Sequence, residues 1–138
     1  MFDFHKFMKY KFINNKLTKI LVSAIILLSI DSIYLHFIKA YFSNQVKIIQ
    51  GTPFQMNFFA TILSYIFLVF GLYYFIIEPK RSVCDAFLLG LVIYGVFETT
   101  NKALFSKWSW LTVIIDTLWG GILFALTTFI VNTLYKYH

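Results

Sequence analysis

Residues 111–135 read LTVIIDTLWGGILFALTTFIVNTLY, an apolar run in which Asp116 is the single charged residue. As an α-helix, this run is long enough to cross a hydrocarbon core of about 30 Å. Three further apolar runs precede it, at residues 17–38, 54–77 and 83–105. The chain has 138 residues, of which 59% are apolar, and a soluble domain of this size has too little interior to bury them. The sequence therefore predicts an all-α integral membrane protein, a four-helix bundle with short loops.

A basic, aromatic segment at residues 1–16 precedes the transmembrane domain, which we assign to residues 17–138. If this segment is helical, its apolar residues share one face at spacings of three and four: Phe4, Phe7, Met8 and Phe12. Such a helix would lie in the headgroup region of the membrane, with anionic lipid headgroups as its partner. A disordered basic tail is the alternative for so short a segment.

The distribution of lysine and arginine predicts the orientation, because these residues are concentrated in cytoplasmic segments. One side of the membrane would carry eight of them: Lys6, Lys9, Lys11, Lys16, Lys19, Lys80, Arg81 and Lys136. The other side would carry four: Lys39, Lys47, Lys102 and Lys107. We therefore expect both termini in the cytoplasm. The net charge of +6 then reflects topology, and nucleic acid is not an expected partner.

Two capping patterns mark helix starts. Residues 52–55, TPFQ, combine a cap residue, a proline at the first helical position and a glutamine at the third. The second spanning helix is therefore predicted to begin near Pro53. Residues 82–85, SVCD, form a similar box, so Asp85 is expected to lie at an interface as part of a cap and outside any functional site.

The connections are short with one exception, a predicted loop at residues 39–52. The polar segment 78–81 is so short that the second and third spanning helices must form an antiparallel hairpin. Aromatic residues flank the fourth span, as expected of anchors at the two membrane interfaces: Trp108 and Trp110 at its start, Tyr135 and Tyr137 at its end.

Three acidic residues lie within the predicted spans: Asp31, Glu98 and Asp116. Counted from the helix ends, each lies roughly 8 to 12 Å below the outer boundary at 1.5 Å per residue. A carboxylate facing lipid near mid-membrane costs about 2.5 to 3.5 kcal/mol, so acids at one level should face each other, water or a cation. We therefore expect the three acids to form one coupled site.

The neighbours of these acids fit an inward-facing polar stripe on each helix. The predicted polar cluster comprises Asp31, Glu98, Asn101, Asp116 and Trp119. Its supporting residues are Tyr34, His36, Tyr94 and Lys102. The second span has no charge and is expected to contribute hydroxyls and amides at the same level: Gln55, Asn57, Thr61 and Ser64.

Three segments carry a resemblance to a known family: 28–35 (LSIDSIYL), 94–101 (YGVFETTN) and 113–120 (VIIDTLWG). They resemble, in this order, the Asp-x-x-Trp-Leu, Tyr-Asp-Leu-Thr-Asn and Asp-x-x-Trp-Gly elements of the small membrane proteins called domain of unknown function 2177 (DUF2177). This chain has Tyr34 in place of the tryptophan and Glu98 in place of the aspartate. The resemblance covers nearly all of the chain after residue 17. It implies a four-helix membrane fold and the polar site, but no activity, because the family has none assigned.

Three functions are compatible with an intramembrane carboxylate cluster. In the first, the cluster is a binding site for a cation, a proton or a basic solute in a transporter or an accessory subunit, since ionisable groups within spans are usually functional. Alternatively, it is a hydrogen-bonded clamp between helices in a structural or interaction subunit, with Lys102 or His36 neutralising part of its charge. A membrane enzyme acting on lipid is the third reading, although no nucleophile or histidine cluster accompanies the acids.

The remaining expectations concern partners and location. We predict no catalytic residue and no cofactor, and the sequence leaves a metal ligand set open, because Cys84 alone cannot build a thiolate cluster. The apolar second span leaves room for a homodimer or a membrane partner. The abundance of Lys, Ile, Asn, Phe and Tyr is typical of AT-rich genomes. We therefore expect the cell membrane of a bacterium, or a host or virion membrane if the source is a large DNA virus.

Overall fold

The computed structural model describes residues 1–13 and 15–136, apart from the side chains of residues 12 and 13. The elements of this part of the chain are helical: α1 (Phe4–Ile13), α2 (Lys16–Gln50), α3 (Phe58–Leu72), α4 (Val83–Leu104) and α5 (Trp110–Lys136), with a π-helical turn (Tyr73–Ile77) extending α3. Four helices, α2 to α5, are long and apolar enough to cross a membrane. The predicted all-α, multi-pass membrane protein is confirmed, while the side on which the termini lie stays a prediction.

Helix α2 is much longer than the sequence indicated. The predicted loop at residues 39–52 is wrong, because the helix continues to Gln50 and ends at Gly51, which adopts the left-handed conformation (φ 79°). Residues 39–50 contain neither glycine nor proline, and Phe42 and Val46 continue the helix's half-buried stripe. At 1.5 Å per residue its 35 residues extend about 52 Å, so α2 exceeds the hydrocarbon thickness.

The start of α3 also differs from the expectation. The predicted cap at residues 52–55 is wrong, since the chain remains non-helical up to Asn57. The Asn57 side chain instead accepts a hydrogen bond from the Ala60 amide at 3.0 Å and caps the helix. In the connection before α3, the side-chain amide of Gln50 donates to the backbone carbonyl oxygens of Thr52 and Pro53. These bonds hold the connection against the end of α2.

The predicted hairpin between α3 and α4 is present. The Ser82 hydroxyl accepts from the Asp85 amide at 3.0 Å, which confirms the predicted cap of α4. Asp85 also forms an exposed ion pair with Arg81 at 3.8 Å. At the same end of the bundle, Lys16 Nζ lies 3.1 Å from Glu78 Oε1 and connects the start of α2 to this hairpin.

Helix α5 is the central helix of the bundle, since a larger share of it is buried than of any other span. Its closest neighbour is α4, and the two backbones approach at glycines. A Cβ atom added to Gly90 would collide with the Gly120 carbonyl, and one added to Gly120 would enter the Tyr94 ring. Helix α2 packs on α5, and α3 packs on α2. Helices α3 and α4 are not a closely packed pair, so a gap separates them beyond their hairpin.

The aromatic anchors are only partly as expected. Trp110 is 63% exposed, as an interfacial anchor should be, whereas Trp108 is only 7% exposed, so its assignment as an anchor is wrong. Tyr135 is half-buried with Lys19 Nζ 5.0 Å from its ring centroid. Tyr137 lies outside the described residues.

The N-terminal segment forms the helix α1, so the disordered alternative is wrong for residues 4–13. Phe4, Phe7 and Met8 are all exposed on it, as an interfacial helix requires. The side chain of Phe12 lies outside the described part of the structure. The contact of α1 with anionic headgroups stays a prediction.

Candidate functional site

The three intramembrane acids are all buried in the bundle. Asp31 is 5% exposed, Glu98 0% and Asp116 6%. Each accepts a hydrogen bond from an aromatic side chain of another segment of the chain. Indole N–H and phenol O–H groups are donors in a position where lipid supplies none, so these contacts stabilise carboxyl groups that would otherwise be unpaired.

Helices α2 and α5 satisfy each other's acids reciprocally. Trp119 Nε1 donates to Asp31 Oδ1 at 2.9 Å, and the Tyr34 hydroxyl donates to Asp116 Oδ1 at 3.1 Å. The Tyr34 and Trp119 rings stack between these two bonds, with centroids 4.3 Å apart and planes 9° from parallel. Both helices carry the pattern Asp-x-x-aromatic, and they run antiparallel, so each acid meets the aromatic residue of the other helix.

Asp31 receives a second donor from α3. The Tyr65 hydroxyl donates to Asp31 Oδ2, so both oxygens of this carboxylate are hydrogen-bonded. Sequence reasoning missed Tyr65 because it lies in an apolar run. A tyrosine within a span was itself a signal, since its hydroxyl needs a partner when it is buried.

The polar residues expected from the second span do not join the cluster. Thr61 and Ser64 donate to backbone carbonyls of their own helix segment, those of Asn57 and Ala60. Gln55 is exposed before the start of α3. None of them hydrogen-bonds to the acids, and Tyr65 supplies the donor from α3 instead; Ser64 alone is placed as expected, since it lines a cavity that also reaches Asp116.

Glu98 and Asp116 form a pair with too few donors. Trp108 Nε1 donates to Glu98 Oε2 at 2.7 Å, whereas Glu98 Oε1 is buried and accepts no hydrogen bond. The Glu98 and Asp116 carboxyl groups lie within hydrogen-bonding reach of each other. Two ionised carboxylates have no hydrogen to share, so this contact becomes a hydrogen bond only when one of them carries a proton.

Trp108 belongs to the site and was not predicted there. It lies in the connection before α5 and reaches back to Glu98, ten residues earlier in the chain. A tryptophan at a helix start is usually an interfacial anchor, and nothing in the sequence distinguishes Trp108 from Trp110. In the structure the two differ in burial: Trp108 is buried and Trp110 is exposed.

Of the predicted supporting residues, Tyr34 and Tyr94 adjoin the acids. The Tyr94 ring packs on Gly120 and lines a cavity that also reaches Asp116. His36 is exposed, with its ring beside that of Phe37. It contacts none of the three acids within the described residues.

The predicted neutralisation by Lys102 or His36 is not found. Lys102 Nζ donates to the Ser106 carbonyl at 2.9 Å and lies 5.7 Å from the Trp110 ring centroid. Asn101 is half-buried, and its side chain has no hydrogen-bond partner among the residues that the structure describes. In residues 1–13 and 15–136, no lysine, arginine or histidine forms an ion pair with the three acids.

A second polar layer joins the C-terminal part of α2 to the start of α5. Gln45 is buried: its Oε1 accepts from the Ser109 amide at 3.1 Å and from the Thr112 hydroxyl at 3.2 Å, and its Nε2 donates to the Lys107 carbonyl. The Tyr41 hydroxyl lies 2.9 Å from that of Thr112. These residues were missed because residues 39–52 were interpreted as a loop.

A cavity of about 370 Å³ occupies the gap between α3 and α4. Its walls come from both helices: Ser64, Phe67, Leu68, Ile93, Tyr94 and Phe97. Asp116 of α5 lines the same cavity, and Glu98, its neighbour in the pair, is fully buried and does not line it. No group of three His, Cys, Asp or Glu residues in the described part of the chain is arranged to hold a metal ion.

The chain matches a family model described as "Predicted membrane protein (DUF2177)" over residues 16–133. This match covers α2, α3 and α4 in full, α5 up to residue 133, and every residue of the polar cluster. No curated protein and no solved structure matches the chain. The protein therefore belongs to the DUF2177 family of predicted membrane proteins.

Proposed function

We propose that this DUF2177 protein binds and releases one proton within the membrane at the Glu98–Asp116 pair, as a small transporter or as an accessory subunit of one. The observation that carries the proposal is the buried Glu98 Oε1, which accepts no hydrogen bond while its carboxyl group adjoins that of Asp116. A proton is the smallest group that would pair this oxygen and remove the repulsion between the two acids.

The surroundings of the pair favour a proton over a fixed countercharge. The closest intramembrane basic residue on the same helix, Lys102, points to the Ser106 carbonyl. Tyr34 and Trp108 each donate one hydrogen bond to the pair, which supports a single negative charge spread over two carboxyl groups. Two full negative charges side by side at this buried place would repel each other, and one donor for each carboxyl group leaves Glu98 Oε1 unpaired.

A structural clamp is the second candidate, and a different acid supports it. Asp31 is hydrogen-bonded at both oxygens, to Trp119 of α5 and Tyr65 of α3. An acid with two fixed donors is suited to holding three helices together. The clamp and the proton site then occupy adjoining places in one bundle and do not exclude each other.

Infrared difference spectroscopy on the purified protein in lipid nanodiscs tests the proton site. A pH change should alter a carbonyl band of a protonated carboxyl group, and this band should shift in heavy water. The band should disappear in Glu98→Gln and persist in Asp31→Asn, because the proposed proton lies on the Glu98–Asp116 pair and Asp31 already has a hydrogen-bond donor at each oxygen. Absence of the band from the native protein, or its persistence in Glu98→Gln, would contradict the proposal.

A further inference from the structure

We infer that the cavity between α3 and α4 binds a lipophilic primary ammonium ion that enters from the bilayer and exchanges with the proton on the Glu98–Asp116 pair. The inference rests on the proposed proton site and adds the chemical class of the second ligand. Three observations support it: the cavity opens toward lipid, its lining combines aromatic rings with Asp116, and Glu98 Oε1 has no hydrogen-bond partner.

The cavity opens toward lipid. Phe67 and Phe97 are 72% and 58% exposed, and both lie well inside membrane-spanning helices. The volume of about 370 Å³ lies in the range of ligand-binding clefts. A compound that partitions into the membrane therefore reaches this cavity directly through the gap between α3 and α4.

The lining selects a cation with an apolar body. Phe67, Tyr94 and Phe97 supply aromatic rings, whose faces attract cations and accommodate apolar groups. The one charged residue of the lining is Asp116. An anion would be repelled at this end, and an uncharged compound would leave the carboxylate without a new partner.

A primary ammonium also provides the missing donors. It carries three N–H groups, enough to donate to Asp116 and to the unpaired Glu98 Oε1 at once. When it binds, the shared proton leaves, so one positive charge replaces another and the net charge of the site is unchanged. The exchange thereby avoids two unpaired carboxylates in a dry site.

The exchange predicts the direction of the pH dependence. The titratable groups that surround the pair are Asp31 and Tyr34 of α2, Tyr65 of α3 and Tyr94 of α4. Asp31 is hydrogen-bonded at both oxygens and the other three are tyrosines, so the shared proton is the one that exchanges. Affinity for the ammonium should therefore rise about tenfold per pH unit while the pair holds its proton and the amine stays protonated.

Calorimetric titration of the protein in phosphatidylcholine nanodiscs tests the inference with a matched pair of probes, 1-naphthylmethylammonium and the uncharged 1-naphthylmethanol. Phosphatidylcholine carries a quaternary ammonium, so the lipid supplies no primary ammonium that would compete with the probe. The ammonium should bind with the stated pH dependence, and the alcohol should not bind. Asp116→Asn should weaken ammonium binding at least tenfold. Equal binding of the two probes, or unchanged binding in Asp116→Asn, would overturn the inference.

Two serine variants locate the ligand without touching the acids. Ser64 lines the cavity and Ser29 faces outward on α2; both are exposed and both donate to the carbonyl four residues earlier. Ser64→Trp should fill the cavity and abolish binding, whereas Ser29→Trp should leave binding unchanged. Binding that survives in Ser64→Trp would contradict the cavity as the site.

The infrared band separates this inference from the proposed function. Ser64→Trp should keep the protonated carboxyl band, which also shows that the variant is folded around an intact acid pair. A native protein that shows the band but binds no ammonium would refute the inference alone. A native protein without the band would refute the proton site, and the exchange with it.

Discussion

Asp31 and Glu98 are both buried carboxyl groups, but they differ in how many donors the fold supplies. Asp31 accepts hydrogen bonds at both oxygens, from Tyr65 and Trp119. Glu98 accepts one, from Trp108, and its other oxygen lies unpaired beside Asp116. Burial alone therefore does not assign a role to an intramembrane acid. On the proposed function, the number of fixed donors distinguishes the two acids: a saturated acid would stabilise the fold, and an undersaturated pair would retain affinity for a proton or a cation.

The largest effect is expected at the saturated acid. Asp31→Leu removes two hydrogen bonds to a buried carboxyl group and leaves the Trp119 N–H and the Tyr65 O–H without an acceptor. We expect a loss of roughly 3 kcal/mol or more in the free energy of unfolding, measured by denaturation in mixed detergent micelles. Asp85→Asn is the control at an exposed acid and should cost about 1 kcal/mol or less. Equal losses in the two variants would remove the distinction between a clamp and a surface acid.

A smaller change in the free energy of unfolding, opposite in sign, is expected at the Glu98–Asp116 pair, which has too few donors. Glu98→Gln replaces the shared proton by an amide N–H that donates to Asp116, so the folded state needs no proton there. On the proposed function, the native protein binds more protons at this pair than the unfolded chain does, so its stability should fall as pH rises. The slope should approach about 1.4 kcal/mol per pH unit for one proton. The same pH titration of Glu98→Gln should show this slope abolished; an unchanged slope would place the proton elsewhere.

The smallest change in stability is expected in Tyr34→Trp, which, compared with Tyr34→Phe, separates the contribution of the Tyr34 ring from that of its hydroxyl. Tyr34→Phe keeps the stack on Trp119 but removes the donor to Asp116, which should cost about 1.5 to 3 kcal/mol if Asp116 is charged and less if it holds the proton. Tyr34→Trp supplies an indole N–H instead and matches the tryptophan of the family pattern. Its stability should lie close to that of the native protein in the same micelle assay. A loss in Tyr34→Trp as large as that in Tyr34→Phe would show that ring size matters more than the donor.

Hydropathy was sufficient to predict the fold class, because each span must satisfy its backbone internally and be apolar over its length. Hydropathy did not predict where the helices begin and end. The outer part of α2 carries Lys39, Asn44 and Lys47, which look like loop residues but lie exposed on a continuing helix. Polarity indicates where a chain meets water and does not show whether the helix has ended.

The acids of the site were predictable, but their partners were not. A charged residue within a span is conspicuous, so Asp31, Glu98 and Asp116 could be selected from the sequence. Their depths were only roughly equal, since Asp31 meets Trp119, three residues or about 4.5 Å beyond Asp116 along α5. Tyr65 carried a weak signal, a hydroxyl within a span, but its partner was not predictable, and Trp108 resembles an interfacial anchor until packing shows that it is buried.

A double-mutant cycle on Glu98→Gln and Asp116→Asn tests the central claim, that these two residues hold one proton between them. At mildly alkaline pH, each single change should remove the same repulsion, so the stability of the double variant should fall short of the sum of the two gains. We predict a coupling energy well above 0.5 kcal/mol, about the limit within which independent sites add. The matching cycle on Asp31→Asn and Glu98→Gln should give a smaller coupling, because Asp31 has its own donors. A Glu98–Asp116 coupling within about 0.3 to 0.5 kcal/mol of zero would mean that the two acids titrate independently, and would contradict the account.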